Sequence, residues 1–288
     1  MSSSEQPLMI NLEEVVSGTA DFPAMPKSAS RLAALFANQD WEIEEITETV
    51  KLDPVLTGRV LRAANSVASG SACQIASVDS AAMRIGPGAI LAMALGAAAK
   101  DQLNVALPCY GLTPGQLWRR SVSAALAIEC SQRHGCGVPP PEAFAAALLR
   151  DIGILVLADQ MSADVLELLE RSRQEGGCSL TDSEMEILGV HHGEVGGLIA
   201  RHWGLPAVIA DAIAFHHAPD EAPTEEGRRS AWFVALADAV SHTLEQAEED
   251  RDEVPSALLM RMGMTLTQYL EFVQDVESRL DEVLARYE

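Results

Sequence analysis

Leu148-Leu149-Arg150-Asp151-Ile152-Gly153-Ile154-Leu155-Val156-Leu157 carries no polar side chain except one adjacent Arg-Asp pair. Arginine and aspartate are rarely buried unless they are paired. A charged dyad between Leu149 and Ile152 therefore reads as a polar pocket cut into a helical core. Further along, His191-His192, His216-His217 and Asp238 bring imidazoles or a carboxylate onto apolar helical faces. Whether these groups converge on the dyad is the functional question the chain poses.

Outward from that stretch, the apolar residues recur with helical spacing and strict two-residue alternation is hard to find. Residues 142–158 read as a helical stretch containing the dyad; Gly153 interrupts it soon after the dyad and would let another helix approach closely. On the N-terminal side, residues 117–134 form a helix, 135–141 a loop and 101–115 a Pro- and Gly-containing joint. Residues 88–100 are Ala-, Leu- and Met-rich and nearly uncharged, as expected of a buried central helix. Asp53-Pro54 starts a helix with an acceptor cap and a proline at the first helical position. Residues 28–38 and 41–50 are further helices, and Phe22-Pro23-Ala24-Met25-Pro26 is an extended lead-in.

On the C-terminal side, residues 165–175 and 181–188 read as helices. His192 then shares a face with Val195, Gly196 and Ile199, and His216 shares one with Ile209, Ala212 and Ile213. Residues 218–227 read as an acidic loop. The helix expected at 230–245 sets Val234, Asp238 and either Ser241 or His242 on one side. Two last helices are expected, over 255–262 and 267–287, the second with a stripe of Leu270, Val273, Val276 or Glu277, and Leu280.

Composition narrows the function. The net charge is −22, from 20 basic and 42 acidic residues. Such a surface repels phosphate backbones, so nucleic acid is not an expected partner. No run approaches the roughly 18 uncharged apolar residues of a membrane span, and the N-terminus has no signal-peptide pattern. The five cysteines form no Cys-x-x-Cys pair. That argues against a disulfide framework or a thiolate zinc site and for a reducing, cytoplasmic location.

Several stretches together carry a family resemblance. They are Phe22-Pro23-Ala24-Met25-Pro26, the run from Asp53-Pro54 to Ala64-Asn65-Ser66, Trp118-Arg119-Arg120, Arg150-Asp151-Ile152-Gly153-Ile154, His192, His216-His217 and Asp238. The chain resembles the HDOD branch (HD-related output domain) of the HD superfamily of metal-dependent phosphohydrolases. The resemblance implies an all-α fold, an HD-like helical bundle preceded by a smaller N-terminal helical lobe. It divides the chain into a leader (1–21), an N-terminal lobe (22–110), an HD-like lobe (111–245) and a C-terminal helical extension (246–288).

The resemblance also implies a ligand set, and the chain departs from it. Arg120 and Arg150 stand where the family has metal-binding histidines, whereas Asp151, His192, His216, His217 and Asp238 are retained. Arginine has no acceptor and cannot ligate a cation. Ile154 replaces the lysine of active relatives, and Ala218-Pro219-Asp220 follows His217 where cyclic-dinucleotide phosphodiesterases have Gly-Tyr-Pro. No serine sits on a nucleophile elbow.

The expected site is thus a vestigial pocket of Arg120, Arg150, Asp151, His192, His216, His217 and Asp238, with Arg120 and Arg150 paired to the two aspartates. No catalytic residue and no cofactor is expected; a bound ion, if any, would be a divalent metal (Mn, Fe, Zn or Mg). The expected function is a bacterial signal-transduction module that binds a signalling protein in trans or a small anionic, nucleotide-like ligand. Membrane is not an expected partner. The alternatives are a residual metal-dependent nucleotide phosphohydrolase and an adaptor whose acidic surface binds a basic protein.

Overall fold

The structure is a computed structural model. It describes residues 25–38, 42–65, 75–161, 163–176, 179–246 and 256–284. The expected leader and most of the Pro-rich lead-in lie outside these. The fold is all-α: among the described residues every regular element is helical, apart from an isolated antiparallel bridge between Leu107 and Leu112. The first helices are α1 (Lys27–Asn38), α2 (Ile43–Lys51), α3 (Pro54–Ala64), α4 (Val78–Ile85) and α5 (Pro87–Leu103). There follow α6 (Gln116–Ser131), α7 (Ala143–Leu149), α8 (Gly153–Gln160), α9 (Ala163–Gly176) and α10 (Leu180–Leu188). The last are α11 (His192–His202), α12 (Ala207–Ala214), α13 (Glu225–Thr243), α14 (Ser256–Met262) and α15 (Leu266–Leu284).

Local chemistry sets the early boundaries. Asp53 accepts hydrogen bonds from the Val55 and Leu56 amides, both at 3.0 Å, and so caps α3. It also accepts from Ser28 Oγ at 2.7 Å, tying α1 to α3. These bonds, partly opposed by burial, hold the Asp53 carboxyl below the usual carboxylate range. Asp53→Ala is expected to cost about 1–2 kcal/mol in urea unfolding. An unchanged midpoint would show that the cap and the tie contribute nothing.

Asn65 clips the chain beyond α3. Its side chain accepts from Ile75 N and donates to Ile75 O, both at 2.7 Å, and donates to Leu61 O at 2.8 Å. In α5 the side chains of Ile90, Leu91, Leu95, Ala99 and Leu103 are fully buried. This helix packs on α1, α3 and α4, and it also meets α7, so it joins the two halves of the chain. The buried apolar residues form one cluster running from Ala29 to Leu280. Among the described residues no single helix is long and apolar enough to cross a membrane.

Three sequence expectations need correction. First, the helical stretch expected over 142–158 is interrupted as expected, but at the dyad itself: it breaks at Arg150-Asp151-Ile152 into α7 and α8, and Gly153 opens the second helix. The break carries i→i+3 bonds, from Ile152 N to Leu149 O and from Ile154 N to Asp151 O, both 3.0 Å. It lets the start of α8 rest directly on the backbone of α11. A Cβ on Gly153 would lie 2.7 Å from Gly196 N and closer still to the His192 carbonyl oxygen.

Second, α13 begins at Glu225 rather than after the acidic run. Thr224 caps it by accepting from Gly227 N at 3.0 Å, and Glu225 and Glu226 sit in the first turn, where the helix dipole favours negative charge. Third, the inward stripe of α15 includes Tyr269 and Phe272, both fully buried, whereas Leu270 is only partly buried. The Tyr269 hydroxyl meets Thr243 Oγ1 at 2.9 Å, fixing α15 to the end of α13.

Candidate functional site: a guanidinium between carboxylates, beside three histidines

The helix break turns Arg150 into the core, where it is completely buried. Its Nε donates to Asp238 Oδ1 on α13 at 2.7 Å, and its Nη2 donates to Ser241 Oγ at 2.6 Å. Nη1 donates to the carbonyls of Ala147 (3.2 Å) and Arg120 (3.3 Å). Nη2 also lies 2.9 Å from Asp151 Oδ2, an ion pair without hydrogen-bond alignment. Burial works against the charge on Arg150, but Asp151 and Asp238 outweigh it and raise its pKa further.

Asp238 shows the reciprocal effect. Burial would raise its pKa, yet His242 and Arg150 hold it well below the usual carboxylate range. His242, one turn along α13 and about half exposed, has Nδ1 3.2 Å from Asp238 Oδ1. That carboxylate pushes its pKa up to about 9.

The imidazoles come from two places. His192 opens α11, and His216 and His217 lie in the turn after α12, beyond the helix expected to carry them. The fully buried Glu184 of α10 accepts twice on Oε2, from the His192 amide at 2.9 Å and from His192 Nδ1 at 2.7 Å. His216 Nδ1 donates to Ile213 O at 2.7 Å. With its Nδ1 proton so engaged, neutral His216 presents a bare Nε2.

His217 Nε2 lies 2.9 Å from His192 Nε2, within hydrogen-bond distance. His216 Nε2 is buried and has no hydrogen-bond partner among the described residues. Burial works against protonating His192, but Glu184 outweighs it and raises the pKa. His216 is lowered well below its ordinary value, by burial and by the adjacent His217. Burial, then His192, brings His217 to about 4, although the residue is open to solvent on one side.

Of the seven residues expected at the site, the structure brings six side chains together. Ligand atoms of His192, His216 and His217 lie within 4.8 Å of one another, as do those of Asp151, His216 and Asp238. Arg150 bridges the two aspartates. Arg120 does not pair with Asp151 or Asp238, which corrects the expectation. Its Nε bonds both oxygens of Glu245, at 2.7 and 2.8 Å. Arg150 already fills the space between the aspartates, and Glu245, just beyond α13, offers Arg120 the bidentate partner its planar fork favours. Only the Arg120 carbonyl reaches the site.

Two residues of the site went unassigned in the sequence. Glu184 stands four residues from both Leu180 and Leu188, next to Ile187, so an acid on the apolar face of α10 was its visible signal. Ser241 was one of two alternatives beside Asp238. It points inward to Arg150, whereas His242 stays half exposed.

The donor atoms define what the site can hold. Arg150 meets one oxygen of each aspartate, so a cation on Asp151, His216 and Asp238, whose ligand atoms lie within 4.8 Å of one another, would sit beside a fixed positive charge. The imidazole half fits one better: one ring nitrogen from each of the three histidines lies within 4.8 Å of the others, and hydrogen bonds on Nδ1 orient His192 and His216, as is common for metal-bound histidines.

A helical bundle that gathers an Arg-Asp dyad, three histidines and a second aspartate at one buried point has the layout of an HD-type domain. The HDOD domain pattern matches residues 22–219, and the chain belongs to the HDOD family. No curated protein matches it. Among solved structures, it resembles a protein of Shewanella amazonensis SB2B provisionally named a phosphohydrolase, at 21% identity and TM-score 0.66, over 92% of this chain and 93% of that one. It also resembles an HDOD domain protein of unknown function from Geobacter sulfurreducens, at 22% identity and TM-score 0.64, over 96% and 97%. A third is a protein of Marinobacter aquaeolei VT8 provisionally named a signal transduction protein, at 22% identity and TM-score 0.67, over 98% of this chain and 62% of that one. At these identities the likeness is one of fold.

Proposed function

We propose that this HDOD chain is a non-catalytic signal-transduction module that binds a partner protein or a small anionic, nucleotide-like ligand. One observation carries it: the Arg150 guanidinium lies fully buried between Asp151 and Asp238. Hydrolysis of the HD type needs a cation-activated water, and a guanidinium neither ligates a cation nor generates one. The output role follows from what membership of the HDOD family implies, and the name of the Marinobacter relative is in keeping with it. The surrounding charge of −22 favours a neutral or basic protein surface over nucleic acid.

The test is phosphate release from a panel of nucleotides with Mn²⁺, Mg²⁺ or Zn²⁺, using the tag-free chain. The expected result is no turnover above the metal-only control. A nucleotide that raises the melting temperature in the same buffers would mark a ligand sensor; none doing so would favour a protein partner.

A second reading, residual metal-dependent hydrolysis, draws on the unpartnered His216 Nε2. Metal-dependent release that disappears in His216→Ala would establish it and overturn the first.

A further inference from the structure

We propose that the N-terminal segment 8–16 docks, within its own chain, on an exposed apolar patch formed by Leu52, Val55 and Met83. The segment lies outside the described residues, whereas the patch and the point where the chain reaches it lie within them.

Leu52, Met83 and Val55 are 79%, 73% and 64% exposed, three of the four most exposed large apolar side chains among the described residues. Local bonding gathers them. Leu52 ends α2 and Val55 opens α3, on either side of the capping Asp53. Lys51, next to Leu52, meets Asp79 Oδ1 at 2.7 Å, and Met83 stands one turn along α4 from Asp79 on the same outer face. Exposed apolar side chains grouped within a polar rim mark an interaction surface.

The entry of the chain selects the occupant. Ser28 Oγ donates to Asp53 Oδ2 at 2.7 Å, between Leu52 and Val55. Met25 packs against the core, and its carbonyl accepts from Ser30 Oγ at 3.3 Å. Residues before Met25 therefore join the fold beside the patch. From Val16 to Met25 the chain can reach at most roughly 30 Å. So short a tether holds a segment at about millimolar effective concentration, and docking in cis spares the translational freedom that a separate partner loses.

Sequence and charge fit the seat. Leu8, Leu12, Val15 and Val16 fall at i, i+4, i+7 and i+8, one face of a helix, with Glu13 and Glu14 off it. Residues 1–24 hold Glu5, Glu13, Glu14 and Asp21 and no lysine or arginine. Opposite charge surrounds the patch: Lys27 and Arg31 flank Ser28 on α1, and Arg62 lies two turns from Val55 on the same face of α3. All three are exposed, and none pairs with a carboxylate among the described residues. A second copy is the poorer occupant, because each chain carries −22 and like charge opposes association. Once seated, the segment closes the patch to any partner in trans until it is displaced.

The test places the photoreactive p-benzoylphenylalanine at position 12 of the full chain and maps adducts by mass spectrometry after irradiation. The expected result is an adduct within one molecule at residues 52–55 or 83. Val55→Asp/Met83→Asp changes only exposed side chains, so it should fold, as circular dichroism would confirm, and lose the adduct. Without any probe, a glutamate-specific protease should cut after Glu13 and Glu14 faster in this double variant than in wild type. Leu52→Ser, outside both α2 and α3, repeats the two readouts should the double variant not fold. Adducts only between two molecules would assign the patch to a second copy and overturn docking in cis. An adduct elsewhere in the chain, no adduct at all, or equal cleavage rates in wild type and folded variant would each overturn it as well.

Discussion

Arg150→Ala is expected to lower the stability of the chain by about 3–5 kcal/mol, the usual cost of removing one partner from a buried ion pair. The residue is entirely enclosed, and its guanidinium serves Asp238, Asp151, Ser241 and two carbonyl groups at once. Alanine would leave buried Asp151 and partly buried Asp238 without their shared counter-charge, beside a void. Urea unfolding measures the loss. Arg150→Met separates its causes, since it fills most of the volume but restores no charge, and it should be nearly as unstable as alanine. The double variant Arg150→Ala/Asp238→Ala should recover part of the deficit, because the stranded carboxylate goes with its partner. An Arg150→Ala protein as stable as wild type would mean that the guanidinium does not hold the two acids.

Gly153→Ala is expected to be comparably severe, at or beyond the upper end of the roughly 1–3 kcal/mol usual for overpacking. The atoms that a new Cβ would strike, the His192 carbonyl and the Gly196 amide, belong to backbone and cannot rotate away. Helices α8 and α11 would have to part, carrying His192 off its seat. Gly96→Ala is the control. There the nearest atom is the end of the Leu148 side chain at 3.1 Å, which can shift, and alanine favours the helix. Its stability should stay within about 1 kcal/mol of wild type. Equal melting temperatures for the two variants would show that the close approach at Gly153 does not constrain the fold.

Much of this was legible in the residues. A charged dyad inside an apolar run, His192 in register with Val195 and Ile199, and Asp238 on the inward side of its helix pointed to a shared interior. What stayed hidden depended on partners distant in sequence. Gly153 signalled an interruption, but its placement at Arg150-Asp151-Ile152 was hidden, because apolar helix lies on both sides and the α11 backbone against Gly153 comes from far along the chain. The partner of Arg120 lies 125 residues away, beyond α13, where no local pattern singles out Glu245 from other surface acids. Glu184 was visible as an acid out of place on an apolar face, but its role needed the position of His192.

The seat of Arg150 also changes how the site responds to its surroundings. A metal centre is filled by mass action, so its contribution to stability rises and falls with the free concentration of the ion. A guanidinium carried by the chain is a tethered ligand, and its local concentration is set by the fold rather than by the solution. The Asp151–Asp238 half of the site therefore keeps its counter-charge at any metal supply, in chelator or in dilute buffer alike.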